Sequence, residues 1–516
     1  MALREYRGRP ALSSAGFVRK RRTSVVYDRL WLGIDVGTQS VRVFAIDDDG
    51  QVAGSGSTAL SGQRRGRRHE QDPERWWEAV VEASIAALNG LDGGAVAGLA
   101  VDATSGTILL TDQAGRPRTA GLMYDDARAT EEARLVDEAG EPVWASLGYF
   151  RMQPSWALPK LIWLLRHRPE LTTGDLRLCH QADLITARLI GHPVATDTTN
   201  ALKSGYDVIE EQWPDEVFDR LGVPPSMLPE VVRPGTVLGV VSAAAASLTG
   251  IPAGTPVVAG MTDGCAAQLG AGAVEAGSWN SVLGTTLVLK GVSKRLIRDP
   301  NGVVYCHRGP NDTWLPGAAS NSGAGVIAQR FGDKDLDVLT AQAERMPVGP
   351  VAYPLVARAE RFPFVSRNVE AFVIGDARDD AAMFAALLLG VACVERLCID
   401  YLDLLGASTD GPLTMTGGGT RNRYWSQLRV DLIGRSVRLP AQAEPAMGMA
   451  VLASTLAGRS VVEAARSMVR SYLELTPDPT RAPVLLQRYG DFVEALTARG
   501  WLDDRTASHA RKGANQ

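Results

Sequence analysis

Two aspartates, Asp35 and Asp263, sit where apolar segments run into glycine-bearing turns, and these are the residues best suited to chemistry. Asp35 lies in Leu32-Gly33-Ile34-Asp35-Val36-Gly37-Thr38-Gln39-Ser40, which reads as a strand, a tight polar turn and a second strand ending at Asp47-Asp48-Asp49-Gly50. A short turn of glycine and hydroxyl residues offers backbone N–H groups to a phosphate with no side chain in the way. A carboxylate beside a polyphosphate needs a divalent cation between them, because the like charges repel. The segment therefore suits one half of a metal–nucleotide site. The same residues also occur in hairpins for turn geometry alone.

The elements that position these groups repeat along the chain. Val96–Asp102 reads as a buried strand delivering Thr104-Ser105-Gly106-Thr107 to its edge, and the apolar run Pro256-Val257-Val258-Ala259-Gly260-Met261 leads in the same way to Thr262-Asp263-Gly264. Ser278–Lys290 is again strand, Gly284-Thr285-Thr286 turn and strand, an echo of the hairpin at Asp35 about half a chain away. Thr414-Met415-Thr416-Gly417-Gly418-Gly419 is a strand and triple-glycine turn opening a helix, where a flat ligand can lie against backbone. Asp72 is placed to cap a helix with Pro73 at its first position and with Trp76 and Val80 on its buried stripe. Together these turns point to a nucleotide held between two α/β lobes.

Bulk properties narrow the field. A chain of 516 residues exceeds what one core usually serves, so two large lobes are expected. With 45% hydrophobic residues, 22% charged residues and a net charge of −4, neither nucleic acid nor a membrane is expected as a partner. Five scattered cysteines without a CxxC pair argue against a disulfide framework or zinc site and for a reducing cytoplasm. The apolar run 381–392 is too short to span a bilayer and reads as a core helix. The basic stretch 1–30 lacks an apolar core and reads as a disordered, dispensable leader.

These motifs, in this order, resemble the FGGY family of carbohydrate kinases, from about Trp31 to about Leu456. Besides the three turns, Glu70-Gln71-Asp72-Pro73-Glu74-Arg75-Trp76-Trp77 and Lys160-Leu161-Ile162-Trp163-Leu164 are similar to family segments, and Tyr124-Asp125-Asp126-Ala127-Arg128 stands where relatives carry Trp-Asn-Asp-x-Arg. The resemblance implies two actin-like, ribonuclease-H-like α/β lobes with a nucleotide and sugar cleft between them. It divides the chain into a leader (1–30), a first lobe (31–272), a second lobe (273–505) and a tail (506–516). At 103–110 the chain reads Ala-Thr-Ser-Gly-Thr-Ile-Leu-Leu where xylulose kinases place Gln-Met-His-Gly, and this resembles the cyanobacterial and plastid D-ribulose kinase subgroup. Asn200–Tyr206, Trp314–Asn321 and Glu360–Phe364 point the same way.

The resemblance implies ATP and Mg²⁺ as cofactors, a small sugar as partner, and a homodimer left open. Asp263 would take the proton of the attacking hydroxyl, although it could also merely cap the helix that follows. Asp35 would hold Mg²⁺ through water, with Thr38, Gln39 and the turn amides at the transferring phosphate. Gly284 and Thr285 would hold the opposite side of the triphosphate, and Gly417, Gly418 and Asn422 the adenosine. Ser105, Asp126, Arg128 and Asp263 would contact the sugar, unless Asp126 and Arg128 are only a surface ion pair. D-Ribulose is the expected acceptor, with D-xylulose or another polyol or ketose as the alternative. An actin-like assembly or chaperone ATPase would show the phosphate turns but has no need of Asp263 together with Ser105. A sugar-sensing regulator with a degraded site would not keep both Asp35 and Asp263.

Overall fold

The computed structural model describes residues 27–171 and 175–514, so most of the expected basic leader lies outside the described residues. Two mixed sheets carry the architecture. The first contains β1 (Leu30–Val36), β2 (Ser40–Asp47), β3 (Val52–Ala59), β4 (Val96–Ala103), β5 (Val237–Val240) and β6 (Pro256–Val258), in the order β5-β6-β4-β1-β2-β3. The second contains β7 (Trp279–Leu283), β8 (Leu287–Gly291), β9 (Tyr305–Arg308), β10 (Trp314–Ala319), β11 (Leu413–Thr416), β12 (Val437–Pro440) and β13 (Ser471–Leu475), in the order β9-β10-β8-β7-β11-β12-β13.

The repeat read from the two hairpins is a repeat of topology. In the first sheet β1 pairs antiparallel with β2 and β2 with β3, while β4 lies parallel to β1 and β6 parallel to β4. In the second, β7 pairs antiparallel with β8 and β8 with β10, while β11 lies parallel to β7 and β12 parallel to β11. Both central strands are fully or mostly buried, as apolar strands with helices on both faces must be. A third sheet joins Gln63–Arg65, Arg68–Gln71, Gly121–Leu122, Ile108–Asp112 and Leu176–His180 in that order.

Six helices matter for the site. They are α1 (Pro73–Leu88), α2 (Ala157–His167), α3 (Asp263–Gly270), α4 (Asp380–Leu404), α5 (Arg423–Ile433) and α6 (Pro445–Ala453). Asp72 caps α1 by accepting from the Glu74 N–H at 3.0 Å, and Trp76 and Val80 are buried on its inner face. The apolar run at 381–392 belongs to α4, whose 25 residues make it longer than the sequence suggested. By length and composition alone it could cross a membrane, yet 78% of its most apolar window is buried inside the protein. Its Glu395 is fully buried and forms a bidentate pair with Arg429 of α5 at 2.6 and 2.9 Å, with Ser281 of β7 bonded to both.

Helix α6 follows most of the second sheet in sequence but packs on the first. It lies so close to β1 that a Cβ at Gly33 would stand 1.7 Å from the Ala446 carbonyl oxygen, so only glycine fits there. The divide expected between residues 272 and 273 is therefore not the whole division in space. The stretch set apart as a tail belongs to the helix Asp504–Ala514, which buries Ala507 and Ala510.

Candidate active site

Three carboxylates gather where the parallel strands of the first sheet end. Asp35 of β1 and Asp102 of β4 are paired in register, which puts both side chains on one face about 4.8 Å apart at the backbone. Ala103 then bridges to Thr262, the N-cap of α3, and Asp263 is the first residue of that helix. Asp35 is 6% and Asp102 0% exposed, and neither Asp102 oxygen finds a donor apart from a proton shared with Asp35. Burial and the Asp263 charge push the Asp35 carboxyl up to about 6, against the lowering effect of the Asp102 contact and the Arg42 charge. Burial, with Asp35 and Asp263 nearby, also holds Asp102 well above the usual carboxylate range. An orphaned buried carboxylate beside a second one fits a divalent cation. Among the described residues no group of three or more His, Cys, Asp or Glu is arranged to hold a metal, so waters and phosphate oxygens would complete the shell.

Long-range contacts brace the Gly37–Ser40 turn. The Gly37 N–H donates to the Ser40 carbonyl at 3.0 Å. The Thr38 carbonyl accepts from Gln71 Nε2 at 2.8 Å, and Trp76 Nε1 donates to Gln71 Oε1 at 2.7 Å. The Gln-Asp-Pro-x-x-Trp segment is thus the strut of this turn. The Gln39 side chain is exposed, and Arg42, in register with Asp35 on β2, presents an exposed guanidinium beside it.

The second and third turns meet. Gly284 and Thr285 accept through their carbonyls from the Ala324 and Gly325 N–H groups at 2.9 and 3.0 Å, which wraps the segment 322–325 around them. Glu360 fixes that segment by accepting from Ser320 Oγ, Asn321 N, Ser322 Oγ and Tyr353 Oη at 2.7–3.1 Å. Gly417 (φ +87°) packs against the end of β7, where a Cβ would stand 2.5 Å from the Leu283 carbonyl, while Gly418 faces open space. Asn422 caps α5 by accepting from the Trp425 N–H at 2.9 Å and donates to Thr340 Oγ1 at 2.8 Å. Its amide holds the loop and is already engaged at both ends.

Asp263 is partly buried, and its Oδ1 accepts from the Gly264 N–H at 2.6 Å, so it does brace the helix start although Thr262 is the cap. Burial raises its carboxyl, against the Gly264 N–H, the Lys203 and Lys290 charges and the Ser105 N–H, which all favour the ionised form. Ser105 stands beside it with its hydroxyl buried and unpartnered. Lys160 of α2, fully buried, holds the Ser105 loop by donating to the carbonyls of Gly106, Met123 and Leu122 at 2.6, 2.7 and 3.2 Å. Asp126 and Arg128 make a buried pair, 0% and 5% exposed at the side chain, and Arg128 also reaches Glu70 at 2.6 Å. Asp126 accepts three bonds from Arg128, from its backbone N–H, Nε and Nη2, and one from the His69 N–H, which occupies its oxygens within the protein.

The amino-terminal domain of the FGGY family of carbohydrate kinases matches residues 30–270 and its carboxy-terminal domain residues 279–457. This chain belongs to that family. It is 30% identical over 443 residues to xylulose kinase of Streptomyces coelicolor, covering 83% of this chain and 88% of that one. It is 27% identical over 451 residues to xylulose kinase of Escherichia coli, covering 84% and 92%. The crystal structure of xylulose kinase from Rhodospirillum rubrum has the same fold, with a TM-score of 0.81 at 24% identity over 91% of this chain and 99% of that one.

As an FGGY member the chain is an ATP-dependent carbohydrate kinase with a two-domain α/β fold. The sequence reading missed Asp102, Arg42, Lys203 and Lys290. Asp102 carries the same signal as Asp35 and Asp263, an apolar strand ending in aspartate beside a hydroxyl-bearing turn, and could have been found by it. The two lysines could have been found by rarity, since only seven of the 54 basic residues are lysine.

Proposed function

We propose that this kinase transfers the terminal phosphoryl group of ATP to the terminal hydroxyl of a ketopentose, D-ribulose, giving D-ribulose 5-phosphate. The observation that carries the reading is the buried, unpartnered Ser105 hydroxyl beside Asp263, in a loop of small residues. A site built around one arrangement of hydroxyls rejects another because buried polar groups are left unpaired, at about 1–3 kcal/mol each. D-Xylulose differs at one stereocentre, so about tenfold discrimination is expected from one such mismatch. The named relatives support D-xylulose as the second reading.

Phosphoryl transfer asks for positioning, charge neutralisation and a base. Asp263 takes the hydroxyl proton, held ionised by the lysine charges and N–H groups around it. Asp35, with Asp102 behind it, would hold Mg²⁺, which supplies charge neutralisation at the phosphates. Thr38, Gln39 and the Gly37–Ser40 turn face the transferring phosphate, Gly284 and Thr285 its far side, and Gly417 and Gly418 the adenosine, with Asn422 shaping that last turn. Asp126 and Arg128 set the sugar-side wall through their mutual pair. The five free, buried cysteines support a reducing compartment such as the cytoplasm. The test is ADP release over D-ribulose, D-xylulose, L-ribulose, ribitol and glycerol. D-Ribulose should give the highest kcat/KM, and a higher value for D-xylulose would overturn the substrate assignment while leaving the kinase intact.

A further inference from the structure

A buried polar segment reaches the Asp263 backbone from the side away from any substrate. Asp263 opens an eight-residue helix, and Thr262, which precedes it at the cap position, makes no capping bond with its own side chain. The placement of Thr262 is therefore set from outside the helix. Its N–H donates to Thr199 Oγ1 at 2.8 Å, and Thr199 is fully buried. An N–H can only donate, so the Thr199 oxygen is the acceptor and its own proton goes to Asp197 Oδ1, at 2.6 Å. Asp197 is buried beneath it and also accepts from the Thr199 and Asn200 N–H groups at 2.8 and 3.2 Å and from Asn200 Nδ2 at 2.6 Å. A carboxylate holding that many donors is a rigid seat for the hydroxyl above it.

The same segment is anchored again a few residues on. Ser204 Oγ lies 2.7 Å from His180 Nε2, and His180 Nδ1 lies 2.8 Å from Asp183 Oδ2 and 2.9 Å from Thr196 Oγ1. Serine, histidine and aspartate at these distances have the spacing of a nucleophilic triad. Ser204 and His180 are both 0% exposed, so no substrate reaches them and the chain serves as an anchor. Held at Asp197 and at Ser204, the segment acts on Asp263 at two points, at the backbone through Thr199 and by charge through Lys203. We propose that Thr199, seated on Asp197, is a positioning residue for the base: it fixes the backbone from which the Asp263 carboxylate projects and so sets its distance to the attacking hydroxyl. This rests on the reading of Asp263 as the base. Thr199 acts through Asp263, and the leverage is large, because a misplacement of about 1 Å costs about 10²-fold in rate.

Steady-state ADP release with the best acceptor of the sugar panel tests this on Thr199→Val, Thr199→Ser and Asp197→Asn. Thr199→Val keeps the volume and removes the acceptor, so kcat should fall about 10–10²-fold while the KM values for sugar and ATP stay within about threefold. Thr199→Ser keeps the hydroxyl, and its kcat should stay within about threefold of the wild type. Asp197→Asn keeps the shape of the seat without its charge, and it decides the matter if Thr199→Val does not fold: kcat should fall about 3–10-fold at unchanged KM. An unchanged kcat in the folded variant, or a loss that Thr199→Ser shares, would overturn the proposal. The Asp263→Asn background separates the two claims. There Thr199→Val should cost nothing more, since no base remains to be placed. A wild-type rate in Asp263→Asn alone removes the base reading; a crippled Asp263→Asn that Thr199→Val slows further by its full factor removes the positioning role and leaves the base.

Discussion

Asp35 and Asp102 lie in register at the ends of two adjacent parallel strands, both buried and with no basic residue in a salt bridge to either among the described residues. Two such carboxylates cannot both be ionised cheaply in a low-dielectric site. The fold therefore holds a charge imbalance at the point where a cation would bind.

That imbalance gives a stability prediction. The Asp35 carboxyl is raised from 3.8 to about 6, so its contribution is present below the unfolded value and is lost as pH rises through the folded one. Without metal, the wild type should be less stable at pH 7 than near pH 5. Asp102→Asn removes one of the two charges, and it should flatten this dependence and stabilise the metal-free protein at pH 7 by about 1–3 kcal/mol. Urea unfolding at the two pH values, with Mn²⁺ binding by calorimetry alongside, is the check. A variant less stable than the wild type at pH 7 would mean that Asp102 has a donor after all.

Lys203 should tune the base. Its charge helps keep the Asp263 carboxyl ionised, so Lys203→Met should move the acid limb of kcat/KM to higher pH. The sign follows from the role: a base works deprotonated, and losing a nearby cation raises the pH at which it deprotonates. A pH profile with an unchanged acid limb would show that Lys203 acts on binding alone.

Lys160 should act through the Ser105 loop. Lys160→Met removes the ammonium that bonds the Gly106, Leu122 and Met123 carbonyls, of which Met123 keeps the Asp126 N–H at 3.0 Å, and it should cost about 1–3 kcal/mol of stability and raise the sugar KM more than the ATP KM. Thermal unfolding and steady-state kinetics read the two effects. Equal changes in both KM values would point to general loosening.

The parts of the fold legible in the sequence are those that local pattern determines. The strands leading to Asp35 and Asp263, the cap at Asp72 and the paired hairpins at 32–47 and 279–291 follow from apolar runs and turn residues. The third sheet was not legible, because two of its strands are as short as Gln63–Arg65 and Gly121–Leu122 and carry no period. Nor was the return of α6 to the first sheet, which depends on close contact between Gly33 and Ala446 far apart in sequence. Within the site, strand-end aspartates could be read, whereas the roles of Asn422, Asp126 and Glu360 depend on partners that only folding brings near. A residue type alone does not distinguish a ligand contact from a strut.

Asp263→Asn tests the central claim most directly. The amide keeps the size of the side chain and can still accept from the Gly264 N–H, but it cannot take up the hydroxyl proton. D-Ribulose-dependent ADP release should fall by about 10²–10⁴-fold in a variant that binds nucleotide and melts like the wild type. A rate within a few-fold of the wild type would contradict Asp263 as the base.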